Sequence, residues 1–147
     1  MPRDFKKVLC GTDFTELSYN ALAYALRFAK LADGTLIVAH FVHVPTDDIY
    51  AHEAWPRTFD QARQRAREML AELHSTRLEN YPKTELVVDI GAPAEMIIKL
   101  AEERNVDVLV TATHGRSELA DLIMGGTAEK LIRHAPCPVF VVRRGVA

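Results

Sequence analysis

At 147 residues, with 48% hydrophobic and 26% charged side chains, the chain has the make-up of an ordinary globular protein and room for one substantial core. One domain covering 1–147 is expected, and the 18 basic and 20 acidic side chains, spread along the chain to a net charge of -2, argue against a nucleic-acid or membrane-surface partner. No run approaches the roughly 18 apolar residues of a membrane span, and the opening MPRDFKKVLC lacks the apolar stretch of a signal peptide, so a cytoplasmic location is expected.

In chain order, KKVLCG (6–11) is a short apolar run closed by glycine and reads as the first strand. Turn and cap residues occupy 13–18. Leu17, Ala21, Leu22, Ala25, Phe28, Ala29 and Ala32 then recur at helical spacing, and Asp33-Gly34 is expected to stop that helix. TLIVAHFVHV (35–44) is nearly all apolar or β-branched, as in a strand covered on both faces. Residues 45–57 show no period and are expected to be one long loop. Ala62, Ala66, Met69, Leu70, Leu73 and Leu78 mark an amphipathic helix ending near Asn80-Tyr81-Pro82.

TELVVDIG (84–91) reads as a third strand and 92–105 as a helix with Pro93 in its first turn, where a missing N–H costs nothing. VDVLVTAT (106–113) is a fourth strand, TAEKLIRHA (127–135) a helix, and CPVFVVRR (137–144) a fifth strand. Strands separated by helices require parallel pairing through right-handed crossovers, which place helices on both faces. The expected fold is a doubly wound α/β sheet of five parallel strands, its ligand site beyond the C-terminal strand ends at a topological switch point. Cys10 and Cys137 fall in strand-like runs, belong to no CxxC, and are expected to be buried reduced thiols.

Two strand ends carry chemistry-bearing residues. GTD (11–13) closes the first strand, where Asp13 could accept hydrogen bonds from a base or ribose, or could serve as a turn carboxylate for the following helix. TATHG (111–115) closes the fourth, and Gly125-Gly126-Thr127 opens the last helix, whose free N–H groups and dipole favour an anion. This glycine spacing is neither a Walker A loop nor the GxGxxG of dinucleotide folds. Beside Gly115, His114 could titrate near neutral pH and Arg116 could reach a phosphate, although both are ordinary at an exposed turn. His40 and His43, three apart on a strand, are expected on opposite faces and make a poor metal pair.

Taken together these pieces resemble the universal stress protein family. The likeness rests on Thr12-Asp13-Phe14-Thr15 after the first strand, Gly91-Ala92-Pro93-Ala94 after the third, and APCPV (135–139) before the last. The resemblance implies strand order 3-2-1-4-5 and a homodimer whose last strands, VFVV (139–142), pair across a two-fold axis. It also implies, in one branch, ATP binding through a motif written G-2x-G-9x-G-(S/T). Here that motif falls on Ala112, Gly115, Gly125 and Gly126, so two of its four positions differ. Gly126, read as the helix N-cap, lacks the hydroxyl and the capping box a serine would form with Glu129, and Thr127 could supply a hydroxyl one position later. The base is implied near Gly11, Thr12, Asp13 and Phe41, where the phenyl ring could stack on adenine, fill its pocket, or serve only as core.

A stress-response protein that binds ATP or a related adenine nucleotide, with Mg2+ as a possible companion, is therefore expected. A nucleotide-free dimeric interaction module is the alternative. A slow ATPase is a third reading, which the absence of a convincing set of metal ligands and water-orienting residues in the sequence does not favour.

Overall fold

The computed structural model describes residues 4–43, 55–114 and 124–143, with residues 55–58 described by backbone alone. The elements are β1 (Lys7–Gly11), α1 (Glu16–Leu31), β2 (Thr35–Val42), α2 (Trp55–Thr76), β3 (Thr84–Ile90), α3 (Pro93–Glu103), β4 (Val108–Ala112), α4 (Gly126–His134) and β5 (Val139–Val142). All strand pairs are parallel, in the order β3-β2-β1-β4-β5. The chain runs outward from β1 to β3, then returns to place β4 on the other side of β1. That reversal puts the switch point between β1 and β4, as the sequence led us to expect.

Strand alternation sorts the core into two layers. Val8, Cys10, Leu36, Val38, Val108 and Val110 face α1 and α2, meeting Ala21, Leu22, Ala25, Ala29 and Leu70. Leu9, Ile37, Ala39, Phe41 and Leu109 face the other way, onto Ile97, Leu100, Ala101 and Leu131 of α3 and α4. The buried alanines of α1, four residues apart, allow its backbone to lie close against the sheet. Cys10 is fully buried, which pushes its thiol up beyond the ordinary range and leaves it inert. Cys137 is only half-buried, contrary to expectation, because it precedes β5 rather than lying within it.

Several boundaries differ from the sequence reading for local reasons. α1 closes in a Schellman motif, with Gly34 N donating to Ala29 O at 2.8 Å and Asp33 N to Lys30 O at 3.2 Å. The left-handed residue is Asp33 (φ 50), not Gly34. Gly34 is required for space, since a Cβ there would stand 2.2 Å from Lys6 O. α2 begins at Trp55, so only 45–54 of the expected loop lie outside the elements, and they also lie outside the described residues. Pro56 falls in the first turn, where proline is compatible with a helix. At its other end α2 stops at Thr76, because Glu79 and Asn80 take positive φ. Leu78 is nonetheless fully buried, from the turn rather than the helix. β4 and β5 are shorter than read, since Val106 and Cys137 pack against the core from the connections.

Candidate functional site

At the switch point a cleft of about 420 Å³ opens beyond the strand ends. Gly11, Thr12 and Asp13 line it from β1 and the following turn, Ala39, His40 and Phe41 from β2 with His43 just after it, and Thr111 and Ala112 from β4 with His114 just after it. Pro93 and Ile97 of α3, with Gly125, Thr127 and Ala128 at the start of α4, complete the described wall together with Ser18. Of the residues singled out in the sequence, Gly11, Thr12, Asp13, Phe41, Ala112, Gly125 and Thr127 therefore come together. Gly126 is the first residue of α4 but does not line the cleft, and Gly115 and Arg116 lie outside the described residues.

The β1–α1 turn is held by hydroxyls. Thr12 N donates to Ala39 O at 2.9 Å, and Thr12 Oγ1 accepts from Phe14 N at 3.1 Å. Ser18 Oγ donates to Thr15 O, so the 2.9 Å contact between Thr12 Oγ1 and Ser18 Oγ has threonine as donor. Phe14 is thereby kept at φ 63, unusual for an aromatic residue, with its ring 4.6 Å from the His40 ring. Thr15 is the N-cap of α1, its side chain accepting from Ser18 N at 3.3 Å. Asp13 Oδ1 accepts from both Thr15 N (3.1 Å) and Thr15 Oγ1 (2.5 Å), which makes Asp13 a turn carboxylate. Its other oxygen has no hydrogen-bond partner among the described residues, so one carboxylate serves the turn and keeps an acceptor for a ligand.

His40 Nδ1 lies 2.7 Å from Thr12 O, and since a carbonyl only accepts, that nitrogen carries the proton. His114 Nδ1 lies 2.8 Å from Thr113 Oγ1. His40 and His43 both line the cleft despite their odd spacing, because β2 ends at Val42 and strand alternation no longer governs His43. Among the described residues no group of three or more histidine, cysteine, aspartate or glutamate side chains could hold a metal ion.

Gly125, not Gly126, is the N-cap of α4, with Glu129 N donating to Gly125 O at 3.0 Å. Glu129 thus sits one position beyond where a capping box would need it. The Gly125 N–H is already given to Thr113 O at 2.7 Å. The amides of Gly126, Thr127 and Ala128 have neither a side-chain cap nor another acceptor among the described residues. Among the described residues, the donors left open at the start of α4 are therefore these three amides rather than that of Gly125. α3 also starts without a side-chain cap, at Ala92, so two helix N-termini converge on the cleft. Between α4 and α3, Lys130 Nζ donates to Glu95 Oε1 at 3.2 Å, and this hydrogen bond holds the Glu95 carboxyl below its ordinary range.

Ala112 ends β4 in register with Val142 and has no positive φ. The methyl group that replaces the motif's first glycine causes no backbone conflict. Phe41 is both core and wall, being 6% exposed and packed among the residues facing α3. The sequence reading missed Ser18, Ala39, His40, His43, Pro93, Ile97 and Ala128 as lining residues. Only Ser18 carried a local signal, as part of the cap turn; the others reach the cleft through packing between distant segments.

A model described as the universal stress protein family matches residues 4–143. Universal stress protein MJ0531 of Methanocaldococcus jannaschii is 28% identical over 141 residues, which cover 95% of this chain and 83% of that protein. The solved structure of MJ0577, a universal stress protein of the same organism, is 26% identical and superposes with a TM-score of 0.85 over 99% of this chain and 100% of its own. A universal stress protein from Archaeoglobus fulgidus in complex with dAMP shares the fold at 19% identity and a TM-score of 0.68, covering 95% of this chain and 98% of its own. With the expected strand order observed, and with the family's turn and helix-start motifs at the ends of β1 and β3, the chain belongs to the universal stress protein family.

Proposed function

We propose that this chain is a cytoplasmic stress-response protein that binds ATP, or a related adenine nucleotide, in the β1/β4 cleft as a homodimer. The observation that carries the reading is the start of α4, which has no side-chain cap and whose Thr127 and Ala128, with amides unpaired among the described residues, line a cleft that also holds the Asp13 carboxylate. Its volume of about 420 Å³ falls within the range of small-molecule sites. Phosphates would lie against Gly126, Thr127 and Ala128, and the base and ribose between the Thr12–Asp13 turn and Phe41. A dAMP complex of the same fold supports an adenine nucleotide as the ligand class. Gly115, outside the described residues, belongs to the same proposed cradle. Mg2+ would enter with the phosphates, since such ions commonly bind through one or two carboxylates and substrate phosphates; Asp13 is the described carboxylate lining the cleft.

The dimer reading rests on β5. Leu109 N and Thr113 N donate to Pro138 O and Val142 O, so strand alternation turns the N–H and C=O of Val139 and Val141 outward. Phe140 beside them is 38% exposed, and an apolar edge of this kind calls for a covering strand. The nucleotide-free interaction module stays as the second reading, favoured by the Gly125 amide already being engaged by Thr113. Equilibrium titration with ATP and Mg2+, together with assay of nucleotide released from the denatured protein, decides between them. Binding supports the first reading, and none at millimolar ligand refutes it.

A further inference from the structure

The described lining of the cleft carries little formal charge. Among the described lining residues there is no lysine or arginine, and the one formal charge is the carboxylate of Asp13. On α4, Lys130 is hydrogen-bonded to Glu95 and Arg133 to Glu129 at 3.0 Å, so these two described cations are matched by carboxylates. Among the described lining residues, the side chains able to become positive are the imidazoles of His40, His43 and His114. Imidazole is the side chain whose charge ordinarily changes between pH 5 and 8.

We propose that phosphate-bearing ligands enter this cleft together with a proton, taken up by His43 and His114. The inference rests on the nucleotide reading of the same cleft and assigns its regulation. His43 is exposed just past the end of β2 and lines the cleft. His114 follows β4 on the opposite side of β1, with Nδ1 against the Thr113 hydroxyl. His40 also lines the cleft, but its Nδ1–H is given to Thr12 O and its ring packs on Phe14, so it props the turn. Described carboxylates on the bordering elements include Asp13, with Oδ1 engaged by Thr15, Asp89 of β3 in register with Phe41, Glu95 of α3 and Glu129 of α4.

The sign follows from linkage. An anion stabilises the imidazolium, so bound histidine holds its proton to higher pH than free histidine. Affinity is therefore greatest in acid and declines as pH rises through the bound-state titration. A permanent cation elsewhere would raise affinity at every pH and leave the slope unchanged.

Isothermal titration of the full chain with cAMP and with ATP, from pH 6 to 8, tests this. The cAMP phosphodiester keeps one charge across that range, and the ATP curve is corrected for ionisation of its own terminal phosphate. Paired buffers of different ionisation enthalpy report the proton directly. Affinity is expected to fall about tenfold over the range, with net proton uptake near pH 7. The double variant His43→Gln/His114→Gln is expected to bind at the weaker level with a flat profile. Wild-type affinity constant within about twofold, or an unchanged slope in the double variant, overturns the proposal while leaving nucleotide binding standing. No binding of either ligand at any pH overturns both.

Discussion

Replacing Gly126 separates the local stability of α4 from its capacity to hold phosphate. A Cβ built at Gly126 meets nothing within 4 Å, and the residue has no positive φ, so neither space nor conformation requires glycine there. Glycine costs a helix interior about 0.5–1 kcal/mol relative to alanine, and the first helical position lies toward the low end of that range. Gly126→Ala is thus expected to stabilise the fold by up to about 0.5–1 kcal/mol, a rise of about 1–4 °C in Tm. Gly126→Ser recovers part of this and adds a hydroxyl beside the free amides of Thr127 and Ala128. One added neutral hydrogen bond contributes about 0.5–1.5 kcal/mol, or roughly two- to tenfold in ATP affinity. Calorimetric melting and ATP titration of wild type and both variants measure the two effects apart. A drop in Tm for Gly126→Ala would contradict the open space at this residue. Equal ATP affinities for Gly126→Ser and Gly126→Ala would show that phosphate does not lie at the start of α4.

Ala112→Gly is expected to lower stability by about 0.5–1 kcal/mol and leave ATP affinity within about twofold, because Ala112 ends a strand without positive φ; a large affinity gain would show that its methyl obstructs the ligand. Thr12→Val leaves Phe14 N without its acceptor and Ser18 Oγ without its donor, and urea unfolding should show a loss of about 1–3 kcal/mol. Val141→Pro deletes an outward N–H while sparing the β4 ladder, so light scattering should report a monomer with a retained sheet; persistence of a dimer argues against pairing through β5. The Lys83 hydrogen bond holds the Asp33 carboxyl below its ordinary value, so its contribution is present above the unfolded value and is lost as pH falls through the lowered folded value. Asp33→Asn should therefore narrow the stability difference between pH 6 and pH 3 in urea titrations, by a small amount because the pair is exposed.

Much of the architecture was legible because its signals are local. Alternating β-rich runs and helical periods specified five parallel strands with helices between them, and residues 11–13 and 111–112 were placed at the edge where such sheets hold ligands. Element ends were less legible, since they depend on partners remote in the chain. Asp33 takes the left-handed position of the Schellman motif while Gly34 is needed for space against Lys6, and Leu78 is buried from a turn although its spacing continues a helix. The cleft's wall was legible at the strand ends and the Thr12–Asp13 turn, but not at His43, which follows the end of β2, nor at Pro93, Ile97 or Ala128, whose placement comes from α3 and α4 packing at the sheet edge.

The sequence by itself determined the family, the order of elements and the nomination of a glycine-rich helix start beside a carboxylate turn, because periodicity and turn chemistry reside in neighbouring residues. The tertiary structure decided how those parts are used. It gives the Gly125 amide to Thr113, leaves Gly126, Thr127 and Ala128 as donors, sets Ala112 in harmless extended backbone, and brings three histidines and one aspartate to a single cleft. Hydrogen-bond partners and local charge balance are set by which distant segments meet, and that is fixed only once the sheet has formed and both helical layers have packed.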